Sequence, residues 1–162
     1  MNKNLKKFIF LLIKIVVIIF IIYILFFFVF GIFRLKNNNM YPFIDEGSLV
    51  LFYRLDKNYN VGDVVVVNKN NKQEIYRIVA IGDDEVNIND DFEVLVNSYP
   101  EANETLFKTE KDVVKFPLKV KSNNYFVLND NRSNKTDSRK FNTIKDSDIE
   151  GKVISFLKTR NI

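Results

Sequence analysis

The chain contains no cysteine and no histidine. The first absence excludes disulfides, thiolate metal sites and cysteine nucleophiles. The second removes the commonest zinc ligand and every Ser-His or Cys-His arrangement for activating a nucleophile. Serine chemistry would need another base, and lysine is the main candidate. Acidic residues are missing from the first 33 positions, where Lys3, Lys6, Lys7 and Lys14 stand without a counter-charge. The formal charge of +4 therefore misleads: of 24 Lys plus Arg, those four lie at the N-terminus, and the remaining 20 balance 20 Asp plus Glu. A nucleic-acid binder concentrates positive charge on its folded domain, so no nucleic-acid partner is expected. Internal repeats are absent too, and 162 residues leave room for one domain beyond a targeting segment.

The N-terminal lysines adjoin an apolar run, FIFLLIKIVVIIFIIYILFFFVFGIF over residues 8–33, interrupted only by Lys14. About 20 apolar residues cross the hydrocarbon core of a bilayer as a helix. A cleavable signal peptide has a shorter core, of about 7–15 residues, followed by small residues at a cut site. Neither feature appears. Lys14 lies near the inner end, where its long side chain can reach back to the headgroups. Residues 1–34 are expected to be a cytoplasmic N-terminus and a single anchor in the plasma membrane. The lysines before the run outnumber Arg34 and Lys36 after it, which places residues 35–162 outside.

Beyond the anchor the pattern changes to short β-type runs. These are Ser48–Arg54, Val61–Val67, Glu74–Ile81, Glu85–Ile88, Phe92–Val96 and Tyr125–Leu128. Turn chemistry separates them at 56–58, 68–71, 82–84 and 122–124. No segment there carries a helical period longer than two turns. The expected fold is mainly β, one domain over 35–162, with the polar stretch 97–118 as an irregular excursion from it.

Four segments, in order, carry a resemblance. The first is Asn39-Met40-Tyr41-Pro42-Phe43-Ile44-Asp45-Glu46-Gly47-Ser48, and the second is Gly62-Asp63-Val64-Val65-Val66. The third is Tyr76-Arg77-Ile78-Val79-Ala80-Ile81-Gly82-Asp83-Asp84-Glu85-Val86. The fourth is Asn129-Asp130-Asn131-Arg132-Ser133-Asn134-Lys135-Thr136-Asp137-Ser138-Arg139, followed later by Gly151-Lys152-Val153. Together they resemble the type I signal peptidases of Gram-positive bacteria, from the Ser-Met-x-Pro motif to the Gly-Asp-Asn-Arg-x-x-Ser-x-Asp-Ser-Arg motif. Met40, Pro42, Ile44 and Gly47 fall at the family's spacing. The resemblance implies a signal-peptidase-like β-domain behind one transmembrane helix.

It also marks what has changed. The family's serine nucleophile is Asn39 here, and its lysine general base is Tyr76. An amide is neither acidic nor usefully nucleophilic. A phenol, with an ordinary pKa of about 10, is a poor base at neutral pH. Lysine serves as base only after burial lowers its pKa. Lys135 stands where the family has a serine near the catalytic lysine, so an amine near the old site is one reading and a solvated loop lysine the other. Ser48, Ser133 and Ser138 are the replacement nucleophiles to weigh; Ser138 matches a family serine that is not a nucleophile. By resemblance Asp130 pairs with Arg77, and Asp137 with Arg139, which hold a loop together whether or not it catalyses. Met40, Pro42, Arg77, Asp130, Asn131, Arg132, Lys135, Asp137, Ser138 and Arg139 are the residues expected to shape the site or touch a peptide. The oxygen-rich stretch 130–137 lacks the central glycine and terminal glutamate of a calcium loop, so no metal is expected, and no cofactor is implied.

The family's cleft receives an extended peptide as an added strand, using backbone hydrogen bonds and pockets that need no catalytic pair. The leading expectation is thus a noncatalytic homologue that binds signal-peptide-bearing or pilin precursors as a chaperone or adaptor. The chain resembles the signal-peptidase-like proteins of pilin clusters and the inactive partners of working signal peptidases, so an active signal peptidase or a sortase joins the bilayer among expected partners. The alternative is an active signal peptidase with an unrecognised nucleophile–base pair.

Overall fold

The computed structural model describes residues 3–69, 72–102 and 105–158. The tip of the expected turn at 68–71 and residues 103–104 of the expected excursion lie outside the described residues. In chain order the elements are α1 (Lys3–Val29), β1 (Phe30–Arg34), β2 (Leu49–Tyr53), β3 (Val64–Lys69) and β4 (Lys72–Ala80). Then come β5 (Glu85–Ile88), β6 (Val94–Val96), β7 (Tyr99–Pro100), β8 (Leu118–Lys119) and β9 (Asn124–Leu128). The chain closes with α2 (Ser138–Phe141), β10 (Ile144–Lys145), a 3-10 turn at Asp146–Asp148, and β11 (Ile149–Leu157).

The apolar run starts as expected. Helix α1 is about 40 Å long at 1.5 Å per residue, none of its side chains is buried, and it is long and apolar enough to cross a membrane. The Lys14 ammonium sits 4.7 Å from the centre of the Phe10 ring, one turn toward the N-terminus, the direction a lysine takes when reaching for headgroups.

The run does not stay helical to Phe33. Phe30–Arg34 form strand β1, paired antiparallel with β2. The Arg54 N–H donates to the Val29 carbonyl at 2.9 Å, tying the helix end to the sheet. Gly31 explains the switch. It lies opposite Phe52, and a Cβ there would stand 2.1 Å from Phe52 Cζ, so the ring fills space that another residue would need. Within an unbroken apolar run, composition cannot separate a buried strand from a helix.

The main sheet has seven strands in the order β1-β2-β11-β3-β4-β9-β10. The last long strand, β11, is thus inserted between β2 and β3. Strands β5 to β8 build a smaller sheet, ordered β7-β6-β5-β8. One apolar cluster joins Leu35, Met40, Ile44, Val50, Val64 and Ile75, fixing the first motif against β2, β3 and β4. A second joins Val65, Tyr76, Ile78, Val127 and Ile144. A third packs Val79 and Phe126 of the main sheet against Val86, Ile88 and Val94 of the smaller one. The segment 97–118 starts with a turn, passes through β7 and ends at the first residue of β8, and its described middle is largely irregular.

Gly151 marks the tightest approach of backbone to backbone in the main sheet. A Cβ at that position would lie 2.3 Å from the Tyr53 carbonyl oxygen and 2.8 Å from its carbon, both backbone atoms. Gly151→Ala is expected to cost at least about 2 kcal/mol, toward the upper end for overpacking, because β2 cannot move aside without breaking its pairing with β11. Urea unfolding of the chain in detergent micelles measures this.

Candidate functional site

Two loops and one strand meet at the positions singled out in the sequence. The first loop, 37–43, follows β1. The second, 129–137, follows β9. Strand β4 brings Tyr76 and Arg77. Asn39 is 4% exposed, and three of its hydrogen bonds close the gap between the loops. Its carbonyl accepts the Asn131 N–H at 2.9 Å. Its Oδ1 accepts the Asn134 side-chain amide, and its Nδ2 donates to Thr136 Oγ1 at 3.5 Å. Asn131 adds a bond from its Nδ2 to the Asn38 carbonyl at 3.3 Å.

Tyr76, also buried, donates its phenol O–H to the Thr136 carbonyl at 3.1 Å. Positions 39 and 76 therefore converge on one residue, Thr136. Burial pushes the Tyr76 phenol well above its usual range, with Glu74 and Asp137 adding to the effect. At neutral pH the group keeps its proton and donates it to the Thr136 carbonyl.

The paired charges stand as the resemblance implied. Arg77 Nε and Nη2 grip Asp130 at 2.7 and 2.6 Å, while Nη1 donates to the Gly62 carbonyl at 2.8 Å. The guanidinium also stacks 4.7 Å from the centre of the Phe43 ring. Asp137 and Arg139 are both fully buried and joined at 2.9 and 2.7 Å. Asp137 caps α2 by accepting the Arg139 N–H and accepts the Asn129 N–H as well. Arg139 then donates to the carbonyls of Arg132, Asn134 and Glu110. Ser138 spends its hydroxyl oxygen as an acceptor for the buried Val127 N–H at 2.9 Å.

Arg132 is 1% exposed and reaches into the excursion, where it pairs with Glu101 at 2.9 Å and donates to Thr109 Oγ1 at 3.4 Å. Burial raises the Glu101 carboxyl despite the opposing pull of Arg132. Lys135 turns the same way. It pairs with Glu110 at 2.6 Å on a partly exposed surface, so the solvated-loop reading of this lysine fits its surroundings. Ser133 is exposed. Ser48 is fully buried with no partner for its hydroxyl. Among the described residues no serine or threonine hydroxyl is hydrogen-bonded to a lysine amine.

Met40 is fully buried in the core, not at a surface. Pro42 lines a cleft of about 510 Å³ with Phe43, Arg77, Leu106, Asp130 and Arg132. A larger cleft, about 720 Å³, runs between Phe33–Asn37 and Lys72–Glu74, with Asn68 at its side. Asn37 Nδ2 donates to Glu74 Oε2 across it at 3.0 Å. Asn37, Glu74, Glu101, Asn134 and Thr136 escaped the sequence reading. Asn134 and Thr136 sit at positions that the fourth motif leaves open, so only their place inside it could have pointed to them.

The chain is similar to known peptidases at two levels. The family model described as "Signal peptidase, peptidase S26" matches residues 8–157. Among solved structures, a signal peptidase I from Enterococcus faecalis superposes with a TM-score of 0.50 at 21% identity, covering 60% of this chain and 97% of that one. At that identity the likeness speaks for the fold. Comparison with curated proteins gives no match.

Proposed function

The chain belongs to the signal peptidase family, peptidase S26, and from that premise we propose that it binds precursors bearing a signal peptide, or pilin precursors, without cleaving them. Its lineage is that of serine peptidases. The observation that carries the proposal is the convergence of Asn39 and Tyr76 on Thr136, a carboxamide and a protonated phenol satisfied by hydrogen bonds. Attack on a peptide carbonyl needs a nucleophile and a base that accepts its proton. Neither group performs either step. Lys135 is engaged with Glu110, and Ser138 with the backbone.

The binding half of the proposal draws on the larger cleft. Leu35 exchanges its backbone bonds with Gly47 and Ser48 on the β2 side. Antiparallel pairing alternates, so Arg34 and Lys36 turn their N–H and C=O groups the other way. On the opposite wall Ile78 bonds Gly62 and Asp63 on the β3 side, which turns Gln73 and Ile75 toward the cleft. Strand β9 pairs with β4 only from Arg77 onward. Among the described residues no strand pairs with these two sheet edges, which border one groove, an arrangement suited to taking up an extended segment.

Membrane placement has its own support. Arg34, Leu49 and Leu157 form one cross-strand row, and Ile32 and Leu51 lie in the next row of the same face. Ile32, Leu49 and Leu157 are 64%, 45% and 70% exposed, continuing the apolar surface of α1 onto the sheet. With the lysines of the N-terminus in the cytoplasm, this face meets the outer leaflet. There the protein serves as a chaperone or adaptor, alongside an active signal peptidase or a sortase.

The test uses the full chain in detergent micelles with a labelled signal-peptide precursor. Binding without cleavage is the expected result. Site-specific cleavage that disappears in Ser133→Ala, Ser138→Ala or Lys135→Ala overturns the proposal in favour of a working enzyme. Asn39→Ser combined with Tyr76→Lys is expected to give slow site-specific cleavage, about a hundredfold above the uncatalysed background, a fraction of what such a pair is worth.

A further inference from the structure

Resting on the peptide-binding reading above, we infer that the groove between Phe33–Asn37 and Lys72–Glu74 selects an extended segment carrying acidic side chains. The groove's walls are polar and unevenly charged. Arg34, Lys36 and Lys72 line it, against the single carboxylate of Glu74. Glu74 is already engaged by Asn37. Arg34 spends its Nε on the Gly47 carbonyl, and none of the three cations has an ion-pair partner among the described residues. Asn68 and Gln73 direct their side-chain amides to Glu150 instead. Apolar lining is confined to Phe33 and Leu35, of which Leu35 is only 2% exposed and belongs to the core.

A strand lying between the two open edges presents alternate side chains to the same wall. Carboxylates at two alternate positions would meet Lys36 and Lys72 from opposite walls, while the backbone bonds to the free groups of Arg34, Lys36, Gln73 and Ile75. Each exposed pair contributes modestly. Acting together they set preference and register more than raw affinity. The peptide's own hydrogen bonds are the same for any sequence, so discrimination falls to the charges.

The experiment uses the full chain in detergent micelles and three labelled threonine-based peptides, identical except for Asp, Ala or Lys at two alternate positions. Fluorescence anisotropy at low and high salt reads binding, and a signal-peptide precursor serves as the reference ligand. The Asp peptide is expected to bind roughly fivefold more tightly than the Ala peptide, with the margin shrinking at high salt. Lys36→Glu with Lys72→Glu, both at exposed positions, is expected to reverse the order so that the Lys peptide binds best. An Ala peptide that binds as well as the Asp peptide overturns the inference and leaves peptide binding intact. So does a precursor that binds while all three short peptides fail. If neither precursor nor peptides bind, the reading beneath falls as well.

Discussion

Asp137→Ala is expected to remove about 3–5 kcal/mol from the stability of the folded domain, the cost of stripping one partner from a buried ion pair. Both Asp137 and Arg139 are fully buried, so the guanidinium left behind has no water to turn to. The carbonyls of Arg132, Asn134 and Glu110 would still accept from it, but they carry no compensating charge. The cap on α2 and the bond to the Asn129 N–H go in the same stroke. Lys135→Ala is the matched control. Its pair with Glu110 is partly exposed on both sides, and exposed pairs are worth at most about 1 kcal/mol. Urea unfolding of both variants in micelles, followed by tyrosine fluorescence, should separate them clearly. A loss under about 1 kcal/mol for Asp137→Ala would mean that the loop does not depend on this pair.

Asp130, Asp137, Ser138 and Arg139 hold β4, β9 and the excursion together through ion pairs and hydrogen bonds. The fourth motif, read by resemblance as holding a loop together whether or not it catalyses, is in these residues a brace. The same brace seats Asn134 and Thr136 over Asn39 and Tyr76.

The strands were legible because period-two runs bounded by Asn, Asp and Gly are a local signal. The runs at 48–54, 74–81, 85–88 and 125–128 became β2, β4, β5 and β9 within a residue or two. Strand β1 was not, because Phe30–Arg34 continue an apolar stretch and only contact with Phe52 decides their conformation. The insertion of β11 between β2 and β3 is long-range topology, which no local pattern encodes. The ion pairs Arg77–Asp130 and Asp137–Arg139 were reached through family resemblance alone. Glu101 and Thr109 became part of the site only because Arg132 reaches across to them, and an isolated polar residue in a weakly patterned stretch advertises no such partner.

The domain is expected to lose stability steeply as pH rises from about 10 to 12. Burial pushes the Tyr59 phenol up to about 12, with Asp146 and neighbouring groups adding to it. Tyr76 is raised further by the same cause. Burial and a bond to Asp146 raise Tyr125 as well. Lys152 moves in the same direction because its ammonium donates to Asp63. Every one of these groups keeps its proton to higher pH in the folded chain than in the unfolded one. The folded state therefore binds more protons across that window, and stability must fall as pH climbs through it. Below about pH 10 nothing is lost, since both states are protonated. For Tyr59 alone the effect is on the order of 2 kcal/mol by pH 12. Tyrosinate absorbance followed together with circular dichroism tests this directly. The buried phenols should ionise only as the sheet unfolds, and Tyr59→Phe should weaken the alkaline slope of stability. If all the phenols outside α1 titrate together near pH 10 with the sheet intact, Tyr76 is not buried beside Thr136. Its role there as a fixed donor to Thr136 would then fail with it.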